Sequence, residues 1–411
     1  MNMYPLYIDP GTGSILFSVL IGAAATLYFV LRALIIKLKV TLSGRSNVSS
    51  SVSCPYVIYN EGKQYCNVFK PILDEFEKKQ IQLRYLTSAK DDPICDLNYQ
   101  YIKCEFIGEG NRAFAYLNLL SADILLMTTP GLNVYQLKRS KMVKHYSHIL
   151  HAPGDATMYR LFGIDYFDSI LLTGDYQAND IRILETMRNL PQKQLITIGC
   201  TYLDIAKNRI NTLSKEENHQ FTVLVSPSWG PSALLSRYGT KLLDPLIKTG
   251  WRIIVRPHPQ SKKSENSMLE NIKSQYIDNA NLEWDFESDN IYSLSKSDIM
   301  ISDFSGVIFD YMFLFNKPVI YVKQGFDLRP YDADDLGENA AENLWQFRTL
   351  LETGIELNED NFTSIKEIIQ KASDSTELET ARQKSKETAW MFQGDAGKLA
   401  ADFMINTVKN A

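Results

Sequence analysis

Short apolar runs alternate with amphipathic stretches along most of this 411-residue chain, and this alternation constrains the fold more than any other feature. From Pro55 onward each apolar run is about as long as one strand, and the stretch after it has helical spacing. Such alternation is typical of a parallel sheet covered by helices. The pattern breaks at the polar segment Asn208–Asn218 and restarts at Phe221–Gly230. We therefore predict two consecutive doubly wound units that face each other across a cleft.

Individual strands follow from the same pattern. Each is an apolar run that ends in polar or small residues. The predicted strands include Tyr56–Tyr59, Asp123–Thr128, His148–His151, Arg252–Val255, Ile299–Ile301 and Pro318–Val322.

Composition excludes some classes of protein. Hydrophobic residues make up 45% of the chain, enough for substantial cores, and the length allows two domains with an appendage. The net charge is −5, from 43 basic and 48 acidic residues. Nucleic acid is therefore not expected as a partner, because binding its phosphates requires clustered Lys and Arg.

The cysteines are odd in number and lack the paired spacing of zinc ribbons. Neither a zinc site nor a full disulfide framework is expected from them. We interpret all of them as reduced thiols in a cytosolic body. They are Cys54, Cys66, Cys95, Cys104 and Cys200.

The N-terminal region contains a long apolar segment. Ser14–Ile36 carries one charge, Arg32, and is long enough to cross a hydrocarbon core as a helix. A cleaved signal peptide would need basic residues before the apolar run, and here they follow it. The positive-inside rule then places the body on the cytoplasmic side of a single-pass anchor. A re-entrant or interfacial helix is the alternative.

Polar residues follow two strands of the second unit. Arg256 and His258 come after the strand in Trp251–Gln260, and His258 lies between two prolines that stiffen the chain. Ser302, Asp303, Ser305 and Gly306 come after the strand in Ser297–Val322, where a helix begins. Ligands of parallel sheets bind beyond the carboxyl ends of strands, and helix N-termini attract anions. We predict a phosphate site here, in which Asp303 holds the loop or a neighbouring cation. A structural turn and an ordinary helix cap are the alternatives.

Three further segments carry candidate side chains. His151 lies at a strand end in the first unit, where a general base could reach a hydroxyl, although an exposed loop histidine would look the same. The turn with Ser226, Ser228 and Gly230 is a possible donor loop or a plain loop. The acidic run Asp332, Asp334 and Asp335 could hold a metal, but a solvated loop is the favoured interpretation and no metal site is predicted.

The sequence RPHP followed by Ser-Asp-Phe-Ser-Gly-Val-Ile-Phe-Asp resembles the C-terminal signature of the CDP-glycerol glycerophosphotransferases of bacterial wall and capsule polymer synthesis. The resemblance implies a GT-B-like fold, a CDP-polyol donor and a membrane-associated enzyme. It also implies that His258, Ser302 and Ser305 contact the donor phosphates. His151 stands near the place of a second family histidine, although its His-Ala-Pro-Gly context differs from the family's His-Gly-Thr.

Together these observations predict an α/β chain of GT-B-like fold, with two Rossmann-like domains and one N-terminal transmembrane helix. The predicted segments are an anchor (1–45), a tether (46–54), an acceptor domain (55–215), a CDP-donor domain (216–375) and C-terminal helices (376–411).

The predicted reaction moves glycerol phosphate, or a related polyol phosphate, from CDP-glycerol to a hydroxyl of a lipid-linked or membrane glycan acceptor. CMP is released, at the bacterial cytoplasmic membrane and without a cofactor. A GT-B glycosyltransferase using a nucleotide sugar, or a non-catalytic organiser of polymer assembly, are the alternatives. The predicted catalytic residues are His151 and His258, and the donor phosphates are assigned to Arg256, His258, Ser302, Asp303, Ser305 and Gly306.

Overall fold

A computed structural model of the chain describes residues 26–28, 31, 54–213, 220–287, 289–303, 305–323, 327–337 and 340–410. The chain forms two compact units, Met1–Ser53 and Cys54–Ala411. The predicted membrane segment Ser14–Ile36 lies outside the described residues, apart from residues 26–28 and 31, which are helical. None of the helices described is both long enough and apolar enough to cross a membrane.

The unit Cys54–Ala411 contains two sheets, and the first has seven parallel strands. Their spatial order is β3-β2-β1-β4-β5-β6-β7. The central strands are buried on both faces, as expected for a parallel sheet covered by helices. The strands are β1 Tyr56–Asn60, β2 Leu83–Thr87, β3 Ile102–Phe106, β4 Ala122–Met127, β5 Val143–Ile149, β6 Ser169–Leu172 and β7 Gln194–Thr197.

The second sheet repeats this order with six parallel strands, β10-β9-β8-β11-β12-β13. In both sheets the strand order reverses beside the first strand, at β1/β4 and at β8/β11. Ligands of doubly wound sheets bind in the crevice beyond the strand ends at such a reversal. The strands are β8 Thr222–Val225, β9 Arg252–Val255, β10 Leu282–Trp284, β11 Ile299–Ser302, β12 Val319–Tyr321 and β13 Gly354–Glu356.

Helices cover both faces of each sheet, so that each sheet separates two apolar cores. Helices of the first part are α1 Cys66–Lys78, α2 Asn111–Leu117, α3 Ala178–Met187 and α4 Thr201–Ile210. Those of the second part are α5 Leu234–Tyr238, α6 Thr240–Ile247, α7 Ser261–Ser264, α8 Asn266–Ser274, α9 Ile291–Lys296, α10 Val307–Phe315, α11 Ala340–Asn343, α12 Trp345–Thr353 and α13 Ile365–Asp374. The chain ends with α14 Thr376–Ala389 and α15 Ala396–Lys409.

The last helix returns to the first sheet. Ala400, Ala401 and Met404 of α15 are buried in the same core as Phe69 of α1. Gly397 lies so close to α1 that an added Cβ would be 2.5 Å from the Cβ of Pro71. The last helix therefore packs against the first sheet, although it follows the second sheet along the chain. The domain limits predicted from the sequence stay a prediction.

Three elements differ from the sequence prediction. β5 begins at Val143 and ends at Ile149, so His151 lies two residues beyond it. The spacing of apolar residues predicts one helix near Ala233–Thr249, but the structure divides it at Gly239, whose positive φ of 42° interrupts the helical backbone between α5 and α6. The strand Gly354–Glu356 was not predicted, because three residues are too few to show a periodic pattern.

Two cysteines correct the expectation of five reduced thiols. Cys95 and Cys104 form a disulfide with their Cα atoms 5.3 Å apart. The chain turns back between the 3-10 helix Pro93–Asp96 and β3, which brings the two residues side by side. Cys54, Cys66 and Cys200 are free and buried.

The acidic segment after β12 joins the two halves of the unit, which corrects its interpretation as a solvated loop. Asp332 is fully buried and accepts hydrogen bonds from the N–H groups of Phe162 (2.6 Å) and Gly163 (3.2 Å). Arg188, at the end of α3, binds Asp332 (2.8 Å) and Asp335 (2.6 Å). Among the described residues no His, Cys, Asp or Glu cluster could hold a metal ion.

A second connection lies nearby. Asp155, in the loop after β5, accepts hydrogen bonds from the first N–H groups of α12, those of Trp345 (2.9 Å) and Gln346 (2.8 Å). A carboxylate at a helix N-terminus satisfies free N–H groups and balances the helix dipole. The loop that carries His151 is therefore fixed to a helix of the second half.

Candidate active site

Sheet pairing brings the predicted donor segments to one edge of the second sheet. Val225 of β8 pairs with Val255 of β9 on one side and with Ile301 of β11 on the other. The residues that follow these strands therefore begin at the same level. The Ser226 loop, the RPHP segment and the residues from Ser302 onward therefore start at one edge of the sheet, and their predicted role in donor binding stays a prediction.

Asp303 organises this edge. Its carboxylate is 1% exposed and accepts hydrogen bonds from the N–H and hydroxyl of Ser228 (both 2.8 Å) and from the N–H of Leu234 (3.0 Å). Hydrogen bonds to a carboxylate are about twice as strong as those between neutral groups. The prediction that Asp303 holds the loop is confirmed.

Ser302 has a positioning role in this structure. Its hydroxyl donates to the carbonyl oxygen of Ser226 (2.5 Å), and the residue is fully buried at the end of β11. In the structure the hydroxyl proton is donated to this carbonyl oxygen, and the predicted contact of Ser302 with donor phosphate stays a prediction. Ser302 fixes the distance between the donor loop and the start of the β11–α10 turn.

Arg256 is also held by partners within the protein. The residue is buried, and its guanidinium donates to the Asp285 carboxylate and to the Glu287 carbonyl oxygen (2.7 Å). Both partners follow β10, and Asp285 balances the positive charge. Arg256 therefore connects the end of β9 to the segment after β10, and its predicted contact with donor phosphate stays a prediction.

His258 lies just beyond β9, at this edge of the sheet. Its Nδ1 accepts a hydrogen bond from the Gln260 N–H (3.1 Å), so the neutral ring carries its proton on Nε2. The ring is half-buried and stacks against Trp229, with centroids 6.4 Å apart. Burial lowers the pKa of His258, while Asp303 and Glu265 act in the opposite direction. At neutral pH the ring offers one N–H donor to an anion.

Ser305 and Gly306 complete the site at the start of α10. Gly306 is exposed, and a Cβ added there would meet no atom of the described residues within 4 Å. Its φ of −57° is one that any residue adopts, so glycine here leaves room beside the backbone without relieving strain. The N–H groups of Ile308 and Phe309 already donate to the carbonyl oxygens of Ser305 and Gly306 (both 3.1 Å), so an anion at this helix start would meet the N–H groups that precede Ile308.

Two residues of this site were missed from the sequence. Trp229 is half exposed beside His258, in the loop that was already a candidate. Glu265 accepts hydrogen bonds from the Gly230 N–H and the Ser236 hydroxyl (both 3.1 Å). Its second oxygen is buried and has no partner among the described residues. In the sequence, a tryptophan between Ser228 and Gly230 could have indicated a role for Trp229. No sequence feature indicates Glu265.

His151 lies at the corresponding edge of the first sheet. Its Nδ1 is 3.2 Å from the Thr128 hydroxyl and 3.3 Å from the Tyr159 hydroxyl. The ring packs edge-on against Tyr65, and burial lowers the pKa of His151 to about 4. His148 is buried between Tyr159 and Phe167, within the core.

Comparison with protein families decides the class of this site. Residues 179–388, just over half of the chain, match the model of the CDP-glycerol:poly(glycerophosphate) glycerophosphotransferases. The chain belongs to this family. It is a glycerophosphotransferase that uses CDP-glycerol, as the resemblance predicted. The matched region contains the Ser226 loop, His258 and the segment from Ser302 to Gly306.

Solved structures show the fold of this glycerophosphotransferase. The wall teichoic acid polymerase TagF, in a variant soaked with CDPG, is 14% identical, covers 95% of this chain and 98% of its own, and has a TM-score of 0.56. A putative UDP-N-acetylglucosamine 2-epimerase from Listeria monocytogenes is 13% identical, covers 88% and 98%, and has a TM-score of 0.57. The UDP-GlcNAc 2-epimerase of Neisseria meningitidis, bound to UDP-GlcNAc, is 14% identical, covers 85% and 100%, and has a TM-score of 0.52. No curated protein sequence matches the chain. The fold is α/β and GT-B-like.

Proposed function

We propose that the second sheet binds the donor, with its diphosphate against the His258 Nε2–H, the Ser305 hydroxyl and the backbone N–H groups that precede Ile308 at the start of α10. The observation that supports this proposal is that β9 and β11 both pair with β8, so that His258 and the start of α10 follow strands on either side of the Asp303-held loop, at the reversal of strand order. All three are uncharged donors, so together they form a directional site for phosphate oxygens.

His151 is the proposed base on the acceptor side. Because burial lowers its pKa to about 4, the ring is neutral at physiological pH and able to take a proton. Its Nδ1–H would donate to the Thr128 or Tyr159 hydroxyl oxygen, leaving Nε2 free. The acceptor O–H then gives its proton to Nε2 while its oxygen attacks the distal phosphorus of CDP-glycerol. A new O–P bond forms, the P–O bond to CMP breaks, and CMP leaves with that electron pair.

The acceptor is proposed to be a hydroxyl of a lipid-linked or membrane glycan, or of a growing polyol-phosphate chain. The fold likeness to a wall teichoic acid polymerase supports a cell-envelope polymer as the product. We further propose that Ser14–Ile36 anchors the enzyme in the bacterial cytoplasmic membrane, with the catalytic body on the cytoplasmic side. Membrane fractionation of the full chain tests this anchor: a chain found wholly in the soluble fraction contradicts it.

Replacing His151 with asparagine is expected to lower the rate of CMP release about 10²–10⁴-fold, the usual contribution of a general base. In the assay, membranes that contain the full-length enzyme are incubated in parallel with CDP-glycerol, CDP-ribitol, UDP-sugars and GDP-sugars. Wild-type enzyme should release CMP from CDP-glycerol and leave the sugar nucleotides intact.

The matched control is His145→Asn, since His145 lies on β5, the strand that leads to His151, and hydrogen-bonds Ser169 (2.8 Å) within the sheet. Activity of His151→Asn close to that of His145→Asn would remove His151 from the mechanism. Turnover of a UDP- or GDP-sugar in preference to CDP-glycerol would contradict the donor assignment.

A further inference from the structure

Trp229 is an exposed tryptophan at the edge of the second sheet, and the proposed reaction gives it no contact with the donor. Its side chain is 50% exposed, whereas the other tryptophans of the chain are buried or partly buried. It follows β8, the strand beside which the strand order reverses. A single exposed apolar ring is common on protein surfaces, so its role depends on what surrounds it.

Two carboxylates hold the chain on either side of Trp229. Asp303 accepts hydrogen bonds from the N–H and the hydroxyl of Ser228, the residue before it (both 2.8 Å). Glu265 accepts a hydrogen bond from the N–H of Gly230, the residue after it (3.1 Å). Hydrogen bonds to charged acceptors are stronger than those between neutral groups. The indole therefore stands on a fixed backbone, and little conformational freedom is lost when a ligand binds to it.

The surroundings of the indole leave space for a ligand. On one side lies the ring of His258, with centroids 6.4 Å apart and an angle of 29° between the planes. Gly230 has a positive φ of 97°, and a Cβ added there would meet no atom of the described residues within 4 Å. The turn after Trp229 is therefore open, beside the histidine that is proposed to bind the diphosphate.

One part of the donor matches an exposed aromatic surface. CDP-glycerol consists of cytosine, ribose, two phosphates and glycerol, and cytosine is its flat π system. Nucleobases stack on aromatic side chains, and removing one such side chain weakens binding roughly 5–150-fold. Phosphates and glycerol hydroxyls require several hydrogen-bonding groups instead, and an indole supplies a single N–H.

We propose that Trp229 is the surface on which the cytosine of the donor stacks, beside the diphosphate at His258. This inference rests on the proposed function, because it takes the second sheet as the donor side. The base does not change during phosphoryl transfer, so the stack stabilises the bound donor and the transition state equally. Trp229 therefore increases the affinity for CDP-glycerol and CMP and leaves the rate of the chemical step unchanged.

Replacing Trp229 with alanine is expected to raise both KM for CDP-glycerol and Kd for CMP roughly 10-fold or more, with kcat within about threefold of wild type. Steady-state CMP release measures KM and kcat, and calorimetry of the detergent-solubilised full-length enzyme measures Kd for CMP. Trp229→Phe keeps an aromatic face and should fall between alanine and wild type.

The matched control is Tyr292→Ala, which removes another partly exposed aromatic ring of the same half and should leave all three constants unchanged. The Tyr292 hydroxyl accepts from Arg252 (3.1 Å), at the start of β9 and therefore at the opposite edge of the sheet.

Tryptophan fluorescence tests the stack in the wild-type enzyme. CMP should quench part of the emission, glycerol 3-phosphate should not, and Trp229→Phe should lack the CMP-dependent quench. Unchanged KM and Kd in Trp229→Ala would overturn the inference alone. A lower kcat with unchanged Kd for CMP would also overturn it, because Trp229 would then act only through His258. A wild-type enzyme that neither binds CMP nor releases it from CDP-glycerol would overturn both this inference and the proposed function.

Discussion

Replacing His258 with alanine is expected to lower kcat/KM for CDP-glycerol about 10²–10³-fold, the cost of losing one preorganised donor to a transition-state oxygen. The Gln260 N–H holds Nδ1, which directs the Nε2–H outward, and Trp229 supports the ring from the side. Alanine removes both the donor and the stacking surface. Because the ring is only half-buried, the fold should be retained.

Steady-state CMP release measures this effect, with circular dichroism to confirm folding. Lys263→Ala, an exposed change on the following helix, is the matched control. His258→Asn keeps a side-chain N–H donor near the same place and should lose less activity than alanine. If His258→Ala and Lys263→Ala show the same kcat/KM, His258 does not contact the donor.

Replacing Asp332 with alanine is expected to cost about 3–5 kcal/mol of folding free energy, because the change breaks a buried ion pair on one side only. The N–H groups of Phe162 and Gly163 lose their acceptor, and Arg188 loses one of its carboxylates. Burial raises the pKa of Asp332 to about 6 although Arg188 opposes this. The charged carboxylate is thus held at a desolvation cost, which suggests that its role is to fix one half against the other.

Urea unfolding at neutral pH measures the loss. Asp334 lies in the same 3-10 helix but is exposed, so Asp334→Ala should shift the free energy of unfolding by no more than about 0.5 kcal/mol. Asp332→Ala should also lower kcat, because the two halves would no longer hold His151 opposite the donor site. Equal midpoints for the two variants would show that the acidic segment does not join the halves.

The sheets and the strand ends were predictable because their signals are local. The strands predicted from the sequence at Arg252–Val255 and Leu282–Trp284 end at the same residues in the structure. The first residues of β5 were not predicted, because Lys144 and His145 interrupt the apolar pattern of this strand. The role of Asp303 was also predictable, since a carboxylate does not bind phosphate directly and must hold something else.

The roles of Ser302, Arg256 and Asp332 could not be predicted from local sequence. Their partners are Ser226, Asp285 and Arg188, at sequence separations of 76, 29 and 144 residues. Whether a side chain at a strand end faces a ligand or a neighbouring loop depends on these tertiary partners.

The central claim is that the two strand-end clusters together transfer a polyol phosphate from a CDP donor to a hydroxyl. Mass spectrometry of the products tests it most directly, after membranes containing the full-length enzyme are incubated with CDP-glycerol and a membrane lipid extract. We predict CMP in the soluble fraction, and acceptor molecules heavier by one or more glycerol phosphate units. Acceptor molecules of unchanged mass, with CMP absent or accompanied only by free glycerol phosphate, would contradict the claim.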